Sequence, residues 1–265
     1  MSELLTAHGL RPSRALGQNF VADPNTVRRI ARLASVAEGD RVIEIGAGLG
    51  SLTLALVETG ASVMAVELDR YLVPVLRSVV EPAGVTVIEG DALTLDWPTV
   101  LGGDGGWVLV ANLPYNVATP LVLDLLDGVP QIDRMLVMVQ REVGERLAAG
   151  VGDEAYGAVS VKVGYWATAR VVGKVPPTVF VPQPRVDSAL VSIVRRPSGP
   201  AVDVDRERLF ELVRTGFAQR RKMLRRALAG VVDESAFSCA GVRPEARAEE
   251  LDVEAWGRLA ACAPS

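Results

Sequence analysis

From residue 41 onward, short apolar runs alternate with amphipathic stretches of about ten residues. Arg41-Val42-Ile43-Glu44-Ile45 reads as a strand, and Gly46-Ala47-Gly48-Leu49-Gly50 as a tight turn. A helix is predicted from about Ser51 to Glu58, then a strand Ser62–Val66 ending in Glu67 and a helix from Tyr71 to Val80. The strand Val85–Ile88 ends in Glu89-Gly90-Asp91, and a glycine-rich loop spans Leu101 to Gly106. The apolar run Trp107-Val108-Leu109-Val110 then leads into Ala111-Asn112-Leu113-Pro114-Tyr115. Thr119-Pro120 opens a helix to about Leu126, Met135–Val139 forms a strand, and Arg141–Ala149 is helical. Such alternation predicts parallel βαβ units in a doubly wound α/β sheet.

Before this run, Asp23-Pro24 has the form of an N-cap followed by proline at the first helical position, with Val27, Ile30, Ala31 and Ala34 as the apolar face. After Tyr156 a helix runs to Trp166. The proline-dense stretch Pro176–Pro184 bars regular structure and predicts a stiff loop. Arg170–Val175 and Val186–Val194 are expected to pair as an antiparallel edge. Pro197 to Val202, with Ser198-Gly199-Pro200, is the best linker, so residues 1–197 are expected to form one domain and 198–265 a second. The pattern of the second is helical: Arg206–Ala218, Arg221–Ala229, about Glu234–Ala240 and about Val253–Ala261.

Composition narrows the function classes. With 49% apolar residues the chain can bury a sizeable core, and no window approaches the ~18 consecutive apolar residues of a membrane span. The first twenty residues lack the apolar core of a signal peptide, which predicts a cytoplasmic protein. A single histidine, His8, excludes a multi-histidine metal site, and no metal is expected. Cys239 and Cys262 have no metal-ligand spacing and read as free, reduced thiols.

A net charge of −4 speaks against a nucleic-acid partner until its distribution is considered. Arg214, Arg220, Arg221, Lys222, Arg225 and Arg226 lie within sixteen residues that contain no acid. Removing those six charges leaves −10 on the rest of the chain. A helix from Arg221 would set Arg221 with Arg225 and Lys222 with Arg226 one turn apart, with Met223, Leu224 and Leu228 turned inward. That basic face matches an RNA backbone.

Two constellations carry the chemistry. Glu44-x-Gly46-x-Gly48-x-Gly50 sits between a strand and a helix, with Glu67 ending the next strand. The glycines let a ligand approach the backbone, and an acid at that strand end can accept both hydroxyls of a ribose. The third glycine comes one residue earlier than in a dinucleotide fingerprint, which favours a nucleoside cofactor without a pyrophosphate, such as S-adenosylmethionine. A nicotinamide dehydrogenase is the competing reading. Asp91 falls where a carboxylate could accept from the adenine amine of the cofactor; as a bare turn residue it could equally cap a helix.

The second constellation is Asn112-Leu113-Pro114-Tyr115. An aromatic amine is a poor nucleophile because its lone pair is delocalised into the ring. Two acceptors on its two N–H bonds, the Asn112 amide oxygen and the Leu113 carbonyl, can turn that lone pair toward an incoming methyl group. Pro114 holds Leu113 extended, and Tyr115 offers a stacking face worth ~1–3 kcal/mol per base.

Leu16-Gly17-Gln18-Asn19-Phe20, Glu44–Gly50, Val66-Glu67-Leu68-Asp69, Glu89–Ala92, Asn112–Asn116, Gln140–Val143, Phe180-x-Pro182-x-Pro184-x-Val186-Asp187-Ser188 and Phe217-x-Gln219-Arg220-Arg221-Lys222 together resemble the ribosomal RNA adenine dimethyltransferase family, of the bacterial KsgA type. The resemblance implies a Rossmann-like class I methyltransferase sheet with a small all-helical, RNA-binding C-terminal domain, acting as a monomer. It implies dimethylation of two adjacent adenosines in a hairpin loop near the 3′ end of small-subunit (16S) rRNA, with the small ribosomal subunit or its precursor as partner. Carried over by position, the cofactor contacts are Asn19, Val21, Gly46, Gly48, Glu67, Asp91 and Asn112, and the target base lies between Tyr115 and Phe180. Val21 stands where the family usually has Leu. Two further readings fit the same fold: an Erm-type large-subunit methylase, and a non-catalytic RNA-binding assembly factor.

Overall fold

The computed structural model describes residues 5–6, 8–103 and 105–263. Asp104, within the expected glycine-rich loop, lies outside them. Nine strands are described: β1 Phe20–Val21, β2 Arg41–Ile45, β3 Ser62–Glu67, β4 Thr86–Glu89, β5 Trp107–Asn112, β6 Ile132–Gln140, β7 Ala167–Val175, β8 Phe180–Val181 and β9 Ser188–Arg195. Seven form one sheet in the order β4-β3-β2-β5-β6-β9-β7, with β4 to β6 parallel and β9 antiparallel to β6. The strand order reverses between β2 and β5. In open α/β sheets ligands bind outside the carboxyl ends of the strands at such a switch point.

The expected elements recur with ends shifted by a few residues. Ile132–Gln140 is longer than predicted, and the short helix Trp97–Leu101 has too few residues to show a period. The carboxylate of Asp23 caps the helix Pro24–Leu33 by accepting from the amides of Asn25 and Thr26. The proline-dense stretch is more regular than expected. Pro177–Val179 forms a 3₁₀ turn, and Phe180–Val181 pairs antiparallel with Phe20–Val21. Neither residue pair shows a strand period by itself; each is extended because the other completes its ladder.

The chain divides into two compact units, 1–144 with 170–194, and 145–169 with 195–265. The second unit thus takes residues 145–169, which the expected boundary at 197 assigned to the first. The reason is burial: Tyr156, Val161 and Tyr165 share one core with Leu209, Leu212, Phe237 and Trp256. The Tyr156 hydroxyl donates to the Leu251 carbonyl at 2.8 Å. An apolar face read along the chain says that a helix is buried, but not which core receives it.

Cys239 and Cys262 are not free thiols but form a disulfide, on the helices Glu234–Ala240 and Val253–Cys262. Packing of those helices brings the two Cα atoms to 6.0 Å, within bonding range, across 23 residues of sequence. No helix among the described residues is long and apolar enough to cross a membrane. Among the same residues, no group of three or more His, Cys, Asp or Glu could hold a metal ion.

Candidate functional site

Strand register assembles the site within the first unit. Ile45 lies beside Val66 on one side and Ala111 on the other, so Gly46, Glu67 and Asn112 emerge at one level of the sheet. Together with the segment Ala15–Phe20 they line a cleft holding about 1030 Å³ of space, part of it open to solvent. Gly48, Asp91, Leu113, Pro114 and Tyr115 complete the predicted part of the lining. Leu16, Leu68 and Leu93 also line it, with no chemistry in their side chains to announce them, and so does Gln18.

Glu67 is buried, and each of its oxygens already accepts one amide, from Gly48 at 2.7 Å and from Asp69 at 2.8 Å. Burial pushes its pKa up, and those two amides oppose the shift. A carboxylate has about four lone-pair sites, so two remain for ribose hydroxyls. The glycine turn answers to more than a ligand. A Cβ on Gly48 would stand 2.9 Å from the Phe20 ring, and one on Gly50 would stand 2.5 Å from Val80 Cγ1, both at positive φ. Asp91 heads a turn rather than a helix, one oxygen accepting from the Leu93 amide at 3.0 Å, and it is among the residues that line the cleft.

The Asn112 side chain donates from Nδ2 to the Asn19 carbonyl at 2.9 Å. A carbonyl can only accept, so this bond fixes which way the amide faces and leaves Oδ1 as an acceptor. The Leu113 amide is committed to the Met138 carbonyl at 3.0 Å, whereas the Leu113 carbonyl has no hydrogen-bond partner among the described residues. Tyr115 is half-buried with its hydroxyl 3.0 Å from Ser188 Oγ, and burial raises its pKa. It therefore stays a neutral ring held at its outer end.

The segment Ser13–Phe20 is strapped over the cleft. The Gln18 amide oxygen accepts from the Ser13 amide at 2.7 Å, and its Nε2 donates to Asp69 at 2.8 Å. Gly17 packs so close to Pro114 that an added Cβ would lie 3.2 Å from the proline Cβ.

Two expected site residues are not in the cleft lining. Val21 and Phe180 are paired across the β1–β8 ladder and lie in the main buried core, 8% and 3% exposed. The pairing that makes these short strands turns both side chains into the sheet packing, so Tyr115 alone of the two proposed rings faces the cleft. The basic stretch also differs. Only Leu224–Ala227 is helical, Met223 is exposed, and Leu224 and Leu228 are buried as expected. A bridge between Met223 and Arg247 holds the chain extended where the helix was expected to begin. Acids distant in sequence reach the patch: Glu249 lies 2.6 Å from Arg220, and Glu245 lies 3.4 Å from Arg225. Arg221, Lys222 and Arg226 remain exposed, without an ion pair among the described residues.

A model of the ribosomal RNA adenine dimethylase family matches residues 10–263. The chain is 48% identical over 265 residues to the ribosomal RNA small subunit methyltransferase A of Kineococcus radiotolerans, covering 96% of this chain and 87% of that protein. It is 47% identical over 269 residues to the protein of the same name from Streptomyces coelicolor, covering 97% and 93%. Among solved structures it is similar to a dimethyladenosine transferase from Plasmodium falciparum, with a TM-score of 0.76, 25% identity and coverage of 91% and 95%. It is also similar to the 23S rRNA methyltransferase ErmE, with a TM-score of 0.72, 26% identity and coverage of 92% and 98%.

Proposed function

The chain belongs to the ribosomal RNA adenine dimethylase family, and from that membership we propose that it transfers methyl groups from S-adenosylmethionine to N6 of two adjacent adenosines in the 3′-terminal hairpin loop of small-subunit (16S) rRNA. The observation that carries the reading is the pair of acceptors at the cleft: Asn112 Oδ1, oriented by the Asn19 carbonyl, and the partnerless Leu113 carbonyl. Two acceptors on adjacent backbone positions suit one –NH2 group.

The cleft fits the methyl donor. Glu67 keeps lone pairs for a ribose, Asp91 keeps an oxygen for an adenine amine, and Asn19, Gly46 and Gly48 border the space between them. When bound, S-adenosylmethionine supplies an electrophilic methyl group on a sulfonium sulfur. The protein's part is orientation. Asn112 and the Leu113 carbonyl hold the two amine hydrogens, which directs the nitrogen lone pair out of the base plane. Tyr115 carries the base on its face, and no strong base is needed because the amine becomes acidic only as it is alkylated.

After one methylation a single N–H remains, so one acceptor is left without a donor and the second transfer leans more on stacking. Tyr115→Ala should therefore lose dimethyl product while retaining monomethyl product, read by mass spectrometry of digested rRNA. Tyr115→Phe should keep both products, and equal loss of both products in Tyr115→Ala would refute this division of labour.

The exposed Arg221, Lys222 and Arg226, with Arg220 and Arg225 beside them, are the RNA contacts of the second unit in this reading. The partner is the small ribosomal subunit or its precursor, in the cytoplasm. The decisive experiment offers labelled S-adenosylmethionine with under-methylated small and large subunits. Label is expected in 16S rRNA; label confined to large-subunit rRNA would establish the ErmE-like alternative instead.

A further inference from the structure

A second group of cations lies on the first unit, on both sides of its edge strand β7. The helix Pro24–Leu33 buries Val27, Ile30 and Ala31, which leaves Arg28 and Arg32, one turn apart, exposed. Arg29 reaches across to the edge strand β7, donating from Nη1 to the Lys174 carbonyl at 2.9 Å. It lies so flat on that strand that a Cβ on Gly173 would meet its Nη2 at 2.7 Å. Along β7, Lys174 and Arg170 are exposed and four residues apart, roughly 13 Å, on the face of the strand opposite to the one on which Gly173 meets Arg29. None of these five cations has an ion-pair partner among the described residues.

Local roles explain only part of this. One cation in the last turn suits the helix dipole, and one or two on an edge strand deter strand-to-strand association. Five unpaired cations on a chain of net charge −4 exceed both needs. Their position is more telling. Gly173 abuts Leu190, since its added Cβ would lie 3.4 Å from the leucine Cδ1. Leu190 is two residues beyond Ser188, whose hydroxyl holds Tyr115. The cations thus flank the edge strand next to β9, the strand whose Ser188 holds the ring proposed to carry the target base.

We propose that Arg28, Arg29, Arg32, Arg170 and Lys174 form a second RNA-backbone contact, which grips the strand flanking the target base where it leaves the Tyr115 end of the cleft. The proposal rests on the rRNA-methylating function above and adds a binding surface independent of the basic stretch at Arg220–Arg226. Guanidinium and ammonium groups without acid partners suit phosphate oxygens, and such contacts fix register without reading sequence.

The test uses the double variant Arg28→Glu/Arg32→Glu in the full chain, with Lys174→Glu as a second variant on the other element. Binding to under-methylated small subunits is measured between 50 and 200 mM salt, alongside S-adenosylmethionine affinity and methylation at saturating subunits. Losing two phosphate contacts should weaken subunit binding by about tenfold or more and flatten the log–log salt slope by about two. Cofactor affinity and saturated rate should match the wild type. Lys174→Glu should flatten the slope by about one. Unchanged affinity and slope in both variants would overturn the second contact while leaving the enzyme reading intact, because the wild type methylates in the same assay. A wild type that neither binds nor methylates small subunits would overturn both.

Discussion

Replacing Asn112 by Ala is expected to lower the methylation rate at saturating subunits by about 10²–10³-fold, the usual scale for removing one preorganised polar group from a reacting centre. The loss comes from orientation: without Oδ1, one amine hydrogen is unheld and the lone pair is no longer directed. Asn112→Asp gives a second, sharper test. It keeps an acceptor toward the cleft but sets a carboxylate oxygen against the Asn19 carbonyl in place of the present 2.9 Å hydrogen bond. The strap Ser13–Phe20 should then loosen, and S-adenosylmethionine affinity should fall together with rate. Single-turnover methylation and calorimetric cofactor binding separate the two effects. A rate within threefold of wild type for Asn112→Ala would remove the amine-alignment mechanism.

The second large effect concerns stability. Glu44 is 2% exposed within β2, and burial pushes its pKa from 4.5 up to about 8, with the nearby Glu67 adding to the shift. The Thr53 hydroxyl lies beside it and pulls partly the other way, yet among the described residues Glu44 Oε2 and Thr53 Oγ1 both lack a partner of hydrogen-bonding geometry. The folded protein therefore holds this acid neutral at pH 7, whereas the unfolded chain ionises it near its ordinary value. A raised folded pKa favours folding most below the unfolded pKa, and that advantage is lost as pH rises through the folded one.

Between about pH 5 and 8 Glu44 should cost the fold roughly 1.4 kcal/mol per pH unit. Glu44→Gln is neutral and close in shape, so its stability advantage over wild type should widen across that window and level off above it. Denaturant unfolding at pH 5.5 and 8.5 checks this. A constant gap between the two proteins would show that Glu44 does not titrate inside the fold.

Much of the site is legible in one dimension because sheet register translates it directly. Glycines after one strand, an acid ending the next and an amide ending another become neighbours wherever those strands are parallel and adjacent. Sequence could not show that the Asn112 amide is oriented by the Asn19 carbonyl, because those residues are 93 positions apart. It also could not separate ligand-driven glycines from packing-driven ones. Gly48 and Gly50 accommodate Phe20 and Val80 as much as any cofactor.

Periodicity and strand-end chemistry determined the parallel sheet, the position of its ligand edge, and the residue types gathered there. These are local properties, set by backbone preference and by the two-residue and 3.6-residue periods. Contacts between distant segments decided the rest. Two-residue strands exist only as each other's partners, which is why Phe180 lies in the core rather than in the cleft. The helix Ala158–Trp166 joins the second core because Tyr165 packs against Phe210 there. Cys239 and Cys262 bond because two helices pack, and Glu245 and Glu249 temper a basic stretch that contains no acid of its own. In each case a free-energy gain between segments far apart in sequence outweighed the preference of either segment alone.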